Sequence, residues 1–117
     1  NQVFMNIFAN AIDAIEAREM EGKLWEGFIK IKTEVNDNNE LAIAISDNGP
    51  GMSEEVREKL FDPFFTTKPV GKGTGLGLSI SYQIVVEKHG GQLICNSTPG
   101  EGTEFIILLP LKAKIQN

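Results

Sequence analysis

The spacing of apolar residues predicts three helices in this chain of 117 residues. Residues 2–20 (QVFMNIFANAIDAIEAREM) carry apolar side chains three and four positions apart, which is typical of an amphipathic helix. A short second helix is expected to begin after an N-cap at Ser53 and to run to about Leu60. A third helix is predicted over residues 76–88. We expect His89-Gly90-Gly91 to close it, so the only histidine is interpreted as a helix cap rather than a catalytic group.

Alternation of apolar and polar residues predicts four strands. They lie at residues 28–35, 41–47, 92–97 and 103–110. The first two are expected to form an antiparallel hairpin whose packed face includes Ile29 and Ile31, and Pro99–Gly102 forms the turn of a second hairpin. Helices and strands in this order indicate an α+β fold, a two-layer α/β sandwich with a mixed, mostly antiparallel sheet and three helices on one face.

The first helix is apolar nearly all round, including at Ile12, except for one polar stripe. At 100° per residue, four side chains fall within a sector of about 80°. They are Gln2, Asn6, Asn10 and Asp13. A solvated face would explain them, but such faces usually carry Lys, Glu and Arg, as this helix does at Glu16 and Arg18. Because Asn and Asp are mediocre helix formers, the sequence favours a stripe that lines a cleft.

A glycine-rich segment precedes the third helix. Gly71, Gly73, Gly75 and Gly77 alternate with other residues and run directly into that helix. Backbone N–H groups at such a helix start suit an anion, and nearby cations and hydroxyls could contact phosphate oxygens. They belong to Thr66, Thr67, Lys68, Lys72 and Thr74. Neither GxxxxGK[ST] nor GxGxxG is present, so a flexible surface loop explains the glycines equally well.

Composition limits the class of protein. The net charge of −5 and the pI near 4.8 argue against nucleic acid as a partner, because the phosphate backbone requires a basic face. The length fits one domain, no apolar run approaches a membrane span, and no signal-peptide pattern is present. Cys95 is the only cysteine and is expected to be a buried, unreactive side chain of a cytoplasmic protein. Without an initiator Met, the chain is expected to be a fragment of a longer protein.

Four segments together resemble a known family. NIFANAIDA (Asn6–Ala14), DNGPG (Asp47–Gly51), FDPFF (Phe61–Phe65) and GTGLGLS (Gly73–Ser79) occur in this order. They resemble the N, first glycine, F and second glycine boxes of the ATP-binding catalytic domain of sensor histidine kinases, a branch of the GHKL ATPases that includes gyrase. The resemblance spans Gln2–Pro110 and implies the Bergerat fold with a flexible ATP lid. It also implies that residues 1–117 are this domain without its first strand, with the phosphoacceptor domain upstream.

The resemblance also implies roles for individual residues. Asn10 would hold Mg²⁺, Asp47 would read the amino group of adenine, and Thr103 would make a second, often water-mediated contact with the base. Lys68 would meet the γ-phosphate, so that the expected catalytic residues are Asn6, Asn10 and Lys68. The nucleotide-binding residues that it implies, lid included, are Asn10, Asp13, Asp47, Gly49, Gly51, Met52, Lys68, Gly73, Thr74, Gly75, Leu76, Gly77, Leu78 and Thr103.

Two positions depart from the family pattern. Many members carry a basic residue three positions after the metal-binding Asn, whereas this chain has Asp13. Gyrase-type ATPases place a Glu general base at the position of Asn6, and Asn cannot accept the proton. The chain is therefore expected to hold ATP for transfer rather than to hydrolyse it.

The expected function is Mg-ATP binding and transfer of the γ-phosphoryl group to a histidine on a separate dimerisation and phosphoacceptor domain of the same protein. A response regulator would act downstream, the full-length protein would be a homodimer, with a membrane anchor allowed elsewhere in it, and the isolated domain would be a monomer. Three alternatives remain open: a hydrolytic GHKL ATPase, a serine kinase of the anti-sigma-factor type, and a domain that binds ATP without catalysis.

Overall fold

The structure is a computed structural model that describes residues 2–19, 26–62 and 77–111. Three α-helices and four strands lie in these ranges. They are α1 (Gln2–Glu19), β1 (Ile29–Val35), β2 (Glu40–Asp47), α2 (Glu54–Lys59), α3 (Gly77–Tyr82), β3 (Gln92–Thr98) and β4 (Gly102–Pro110). After α3 the chain continues as a π-helix over Gln83–Lys88. The predicted elements are thus present and differ from the observed ones by one or two residues at their ends.

Local signals explain where the helices begin and end. Ser53 is the N-cap of α2, and its hydroxyl accepts a hydrogen bond from the backbone N–H of Val56. His89 is the C-cap of the π-helix, and Gly90 follows with a φ of 69°, as expected of a glycine just after a helix. The π-helical geometry of the second half of the third helix is a finding that the periodicity did not predict.

The four strands form one sheet in the order β1-β2-β4-β3, and each neighbouring pair is antiparallel. The predicted α+β class is confirmed, although the described sheet is wholly antiparallel rather than mixed. Because β2 and β4 are the central strands, the end of β2 lies beside the start of β4. This arrangement brings residues of the middle and the last third of the chain together.

The hydrophobic core lies between the sheet and the helices. α1 packs on β2 and on α3, while α2 and the π-helix pack on β3. The buried residues of the core cluster are Val3, Ile7, Ile43, Ile45, Leu60, Val85, Leu93, Cys95, Phe105 and Ile107. Cys95 is buried as expected, and its burial raises the pKa of the thiol to about 11. Such a thiol stays protonated and unreactive near neutral pH.

Two apolar positions differ from the prediction. Ile12 on α1 is 48% exposed and Ile31 on β1 is 55% exposed, although both were expected on packed faces. The reason is the position of α1, which lies over β2 and leaves the edge strand β1 outside the main layer of helices. No helix within the described ranges is both long enough and apolar enough to cross a membrane.

Candidate functional site

Three polar side chains lie side by side across one end of the sheet. Asp47 of β2 pairs with Thr103 of β4, which in turn pairs with Ser97 of β3. They continue the alternation that buries Ile45 and Phe105, so the three side chains lie on the helix-facing side of the sheet. We call Asp47, Thr103 and Ser97 the strand-end row.

Asp47 is the charged member of the strand-end row. It is only 8% exposed, and its Oδ1 accepts a hydrogen bond of 2.8 Å from the backbone N–H of Gly49. Burial raises the pKa of the carboxyl above its ordinary value, while hydrogen bonds from the backbone N–H groups of Gly49 and Thr103 oppose the rise. The carboxylate is therefore held in a fixed direction by the backbone, in a place where an additional hydrogen-bond donor would be favourable.

Ser97 links the row to the turn that follows β2. Its Oγ accepts from the backbone N–H of Met52 at 2.9 Å, donates to Gly102 O at 3.0 Å and lies 2.9 Å from Thr103 Oγ1. Ser97 was not among the predicted site residues. The only signal available was its position on the same face of β3 as Leu93 and Cys95, which requires the strand register to interpret.

The turns that end β2 and begin β4 interlock. Pro50 O accepts a hydrogen bond of 2.6 Å from the N–H of Gly100. Gly51 and Gly102 have φ angles of 72° and 127°, and a Cβ would overlap Thr98 O at the first and Asp47 O at the second. These two positions accept glycine alone, because both the conformation and the close backbone contact exclude a side chain.

Asn6 and Asn10, which we call the amide pair, lie about one helical turn apart on α1, and Asn6 faces α3. The Asn6 amide donates to Gly77 O at 3.0 Å and to Ser81 Oγ at 3.2 Å, and Ser81 Oγ donates to Gly77 O at 2.9 Å. Asn10 Nδ2 donates to Asn6 O at 2.8 Å. Because Nδ2 makes this hydrogen bond, Oδ1 is the atom of the Asn10 amide that could serve as a ligand for a cation.

A direct contact joins α1 to the strand-end row. A Cβ on Gly49 would lie 2.8 Å from the Cβ of Ala14 and 3.0 Å from Asp47 Oδ1, so the Asp47–Gly49 turn rests on α1. Ala14 is one helical turn beyond Asn10 and on the same face. The Asp47–Gly49 turn therefore contacts α1 one helical turn beyond the amide pair.

Arg18 fastens the two turns to the end of α1. Its Nη1 donates to Asn48 O at 3.1 Å, to Gly49 O at 2.8 Å and to Gly100 O at 3.1 Å. Arg18 was predicted to lie on a solvated face, and these contacts show that the prediction was wrong. The carbonyl groups of the two turns converge beside the last turn of α1, and a guanidinium satisfies several of them at once.

The other predicted site residues divide into two sets. Met52 and Leu78 are half-buried against the core, Gly77 begins α3, and Asp13 is exposed on α1. The remaining predicted nucleotide-binding residues lie outside the described ranges. They are Lys68, Gly73, Thr74, Gly75 and Leu76. Also outside the described ranges are Thr66, Thr67, Lys72 and most of the Phe61–Phe65 segment. Phe61 itself is described, and the centroid of its ring lies 5.3 Å from that of Tyr82.

A shallow cleft of about 230 Å³ opens at the ends of β2, β3 and β4. Asp47, Ser97 and Thr103 line it together with Ser46, Asn96 and Glu104. Because the latter three alternate with the strand-end row, they point to the opposite side of the sheet. The cleft thus runs across the end of the sheet, and no residue of α1 lines it.

The described residues include no group of three or more His, Cys, Asp or Glu side chains able to hold a metal ion. Mg²⁺ does not need such a group, because it keeps several waters and takes one or two protein ligands beside phosphate oxygens. A single amide oxygen such as that of Asn10 fits this chemistry.

Comparison with known proteins gives a consistent result. The profile of the family described as histidine kinase-, DNA gyrase B- and HSP90-like ATPase matches residues 1–113. The chain is 43% identical over 110 residues to the signal transduction histidine-protein kinase AtoS of Escherichia coli, and 40% identical over 111 residues to sporulation kinase E of Bacillus subtilis. These matches cover 94% and 95% of this chain but only 16% and 14% of the two relatives.

Solved structures agree. The catalytic domain of histidine kinase ThkA superposes with a TM-score of 0.73 at 38% identity, over 93% of this chain and 65% of that one. Full-length ShkA in complex with AMPPNP superposes with a TM-score of 0.76 at 26% identity, over 93% of this chain and 20% of that one.

Proposed function

This chain belongs to the family of histidine kinase-, DNA gyrase B- and HSP90-like ATPases, and on that premise we propose that it binds Mg-ATP and donates the γ-phosphoryl group to a histidine of a separate phosphoacceptor domain. The observation that carries the proposal is the strand-end row. A buried carboxylate held by backbone N–H groups beside a threonine hydroxyl is suited to a neutral ligand with N–H donors, such as the adenine base.

Recognition of the base follows from hydrogen-bond polarity. The amino group of adenine donates to the Asp47 carboxylate, whereas guanine has a carbonyl oxygen at the same position and would meet the carboxylate with like partial charge. A hydrogen bond to a charged group contributes about 1.5–3 kcal/mol. Met52, on the turn that follows Asp47, is proposed to provide an apolar side chain for the ring, whereas Gly51 allows this turn to pack closely on Thr98.

The phosphates would extend along α1 toward the amide pair and the start of α3. Asn10 would hold Mg²⁺ through Oδ1, and the ion would neutralise charge on the phosphate oxygens. Lys68 is proposed to meet the γ-phosphate, and the backbone of Gly73–Leu78 is proposed to cover the phosphates. These last assignments rest on the family resemblance, because all but Gly77 and Leu78 lie outside the described ranges.

Transfer is favoured over hydrolysis by the environment of Asn6. Its amide donates to Gly77 O and Ser81 Oγ, so the side chain serves as a link between α1 and α3. An amide cannot take a proton from water, and this chain has no carboxylate at that position. Catalysis would therefore come from positioning the γ-phosphoryl group and neutralising its charge.

Partners are inferred from the relatives. AtoS, sporulation kinase E and the ThkA domain are named as histidine or sporulation kinases, and ShkA was solved with AMPPNP. Because this chain spans a small part of AtoS and sporulation kinase E, the phosphorylated histidine is proposed to lie on another domain of the protein. A homodimeric full-length kinase in the cytoplasm and a downstream response regulator complete the proposal.

Nucleotide binding is the first test. Calorimetric titration of the purified protein with ATP and with GTP, each with and without Mg²⁺, should show a preference for Mg-ATP. Asp47→Asn keeps the shape but removes the charge, and it should weaken ATP binding about tenfold to a hundredfold. Equal affinity for the two purine nucleotides would refute the assignment of Asp47.

Phosphoryl transfer is the second test. The protein is incubated with γ-labelled ATP, alone and with a histidine-bearing helical domain from the same full-length kinase. We expect acid-labile label on the helical domain and very little phosphate release in its absence. Steady-state ATP hydrolysis by this protein alone at ordinary enzyme rates of about 10 s⁻¹ would favour a hydrolytic ATPase instead. Label that appears on a serine of an anti-anti-sigma substrate would favour a serine kinase.

A further inference from the structure

We infer that Ser97 fixes the hydroxyl of Thr103 as a hydrogen-bond acceptor, so that Thr103 and Asp47 together select a purine with an amino group at C6. The inference rests on the proposed function and adds a specificity-determining residue to it. It follows from the contacts of one hydroxyl group that touches three partners.

The direction of each hydrogen bond at Ser97 can be assigned from its partners. A serine hydroxyl has one proton and two lone pairs. The N–H of Met52 can only donate, so it uses one lone pair of Ser97, at 2.9 Å. The carbonyl of Gly102 can only accept, so it takes the single proton, at 3.0 Å. The contact with Thr103 Oγ1 at 2.9 Å must then be made by the proton of Thr103.

The consequence for Thr103 is a fixed polarity. Its hydroxyl proton points to Ser97, so only its lone pairs face other groups. Its backbone N–H is also engaged, with the Asp47 carboxylate. Since Thr103 and Asp47 are register partners on neighbouring strands, the two side chains present adjacent acceptors and neither presents a donor.

Two adjacent acceptors match the amino group of adenine, which has two N–H bonds. The contact from Thr103 can be direct or can pass through a water molecule that donates to it. Hypoxanthine and guanine carry a carbonyl oxygen at C6, which is unfavourable against both side chains. A threonine hydroxyl that could rotate would donate to that oxygen and weaken the discrimination. Ser97 prevents the rotation, although it does not touch the purine itself.

The test measures binding of Mg-ATP and Mg-ITP, whose bases differ at C6, to the purified protein and four variants. Ser97→Ala removes the acceptor that holds the Thr103 proton, and the ratio of ATP to ITP affinity should fall about threefold to tenfold, the size of one neutral hydrogen bond. Ser97→Thr keeps a hydroxyl and should restore the ratio. In a Thr103→Val background, Ser97→Ala should leave the ratio unchanged within about twofold, because no threonine hydroxyl remains to rotate.

A merely structural role for Ser97 gives different results. If Ser97→Ala weakens ATP and ITP equally, or changes the ratio as much in the Thr103→Val background as in the wild type, the inference is overturned. Circular dichroism and the unfolding midpoint verify that the variants are folded.

Thr103→Val alone decides the question if Ser97→Ala does not fold. An acceptor hydroxyl predicts weaker ATP binding and unchanged or tighter ITP binding, whereas a donor hydroxyl predicts a greater loss for ITP and overturns the inference. Wild-type protein that binds neither nucleotide would refute the proposed function, and the inference with it. Wild-type preference for ATP with no response to these variants would refute the inference alone.

Discussion

The strand-end row and the amide pair lie on elements that contact each other through Gly49 and Ala14, but they are held in place in different ways. The strand-end row is held mainly by backbone groups. Backbone N–H groups donate to the Asp47 carboxylate. The two turns beside it pack so closely that Gly51 and Gly102 leave no room for a side chain. At the amide pair, the Asn6 side chain hydrogen-bonds to Gly77 O and Ser81 Oγ of α3. The chain immediately before α3 lies outside the described ranges.

For the proposed nucleotide binding, this difference predicts that the strand-end row and the amide pair contribute in different ways. Groups fixed by strand pairing and by glycine turns lose little freedom when a base binds, so they favour selectivity. Side-chain amides and a helix start can adjust as phosphates and a metal ion arrive and leave. If this comparison is right, substitutions at the two ends should differ in size and in kind.

The largest effect is expected at Gly102. Gly102→Ala adds a Cβ that overlaps Asp47 O at a φ of 127°, and it should lower the free energy of unfolding by at least about 3 kcal/mol. Gly100→Ala is the matched control, because its φ is 83° but nothing lies within 4 Å of the added Cβ. The control should cost about 1–2 kcal/mol. Urea unfolding measures both, and equal costs would contradict the interlocked turns.

A smaller effect is expected at Arg18. Arg18→Met keeps the aliphatic stem but removes the hydrogen bonds to Asn48, Gly49 and Gly100. It should destabilise the protein by about 2 kcal/mol and weaken ATP binding, because the Asp47–Gly49 turn loses its attachment to α1. Arg18→Lys keeps a donor cation and should recover part of both losses. Unchanged unfolding and binding for Arg18→Met would show that these contacts contribute nothing.

At the amide pair the expected effect is smaller still. Asn6→Ala should cost about 1 kcal/mol, because Gly77 O keeps its hydrogen bond from Ser81. Asn6→Asp has the same shape but places an acceptor against Gly77 O, so it should cost more than the alanine variant. Thermal unfolding of the two variants in parallel tests this order. An aspartate variant as stable as the wild type would contradict the observed direction of the Asn6 hydrogen bonds.

The smallest expected effect is the pH dependence that Asp47 contributes to stability. Burial raises the pKa of Asp47 in the folded state above 3.8, so the native state binds more protons than the unfolded state between that value and the raised pKa. Stability from this group therefore falls as the pH rises through that window. We therefore compare the free energy of unfolding of Asp47→Asn with that of the wild type at pH 3 and at pH 7 by urea unfolding. The difference, variant minus wild type, should be more favourable to the variant at pH 7 than at pH 3. A relative loss at pH 7 would contradict the sign.

Sequence periodicity predicted most of the fold because β2, β3 and β4 each alternate with one buried face, and because the start of α2 and the end of the π-helix have local signals. Ser53 and Gly90 could be interpreted from their neighbours alone. Ile12 and Ile31 could not, since their exposure depends on where α1 lies on the sheet. The π-helical turns after Tyr82 likewise have no pattern of their own in the sequence.

The site was predicted less completely, for a similar reason. Asp47 and Thr103 were found through family motifs, whereas Ser97 and Arg18 were not. Ser97 contacts Met52, 45 residues away, and Arg18 contacts Gly100, 82 residues away. Contacts of this kind depend on strand register and on the meeting of two turns, which no local pattern encodes.

The hydrogen bond between Pro50 and Gly100 makes the lengths of two distant loops interdependent. A residue inserted after Thr98 or before Met52 would move Gly100 N–H away from Pro50 O. A natural change in the length of one loop should therefore be accompanied by a compensating change in the length of the other. For protein engineering, a tag or sensor peptide is better inserted elsewhere, for instance in the β1–β2 turn around Asp37. This turn lies at the opposite end of the sheet from the strand-end row.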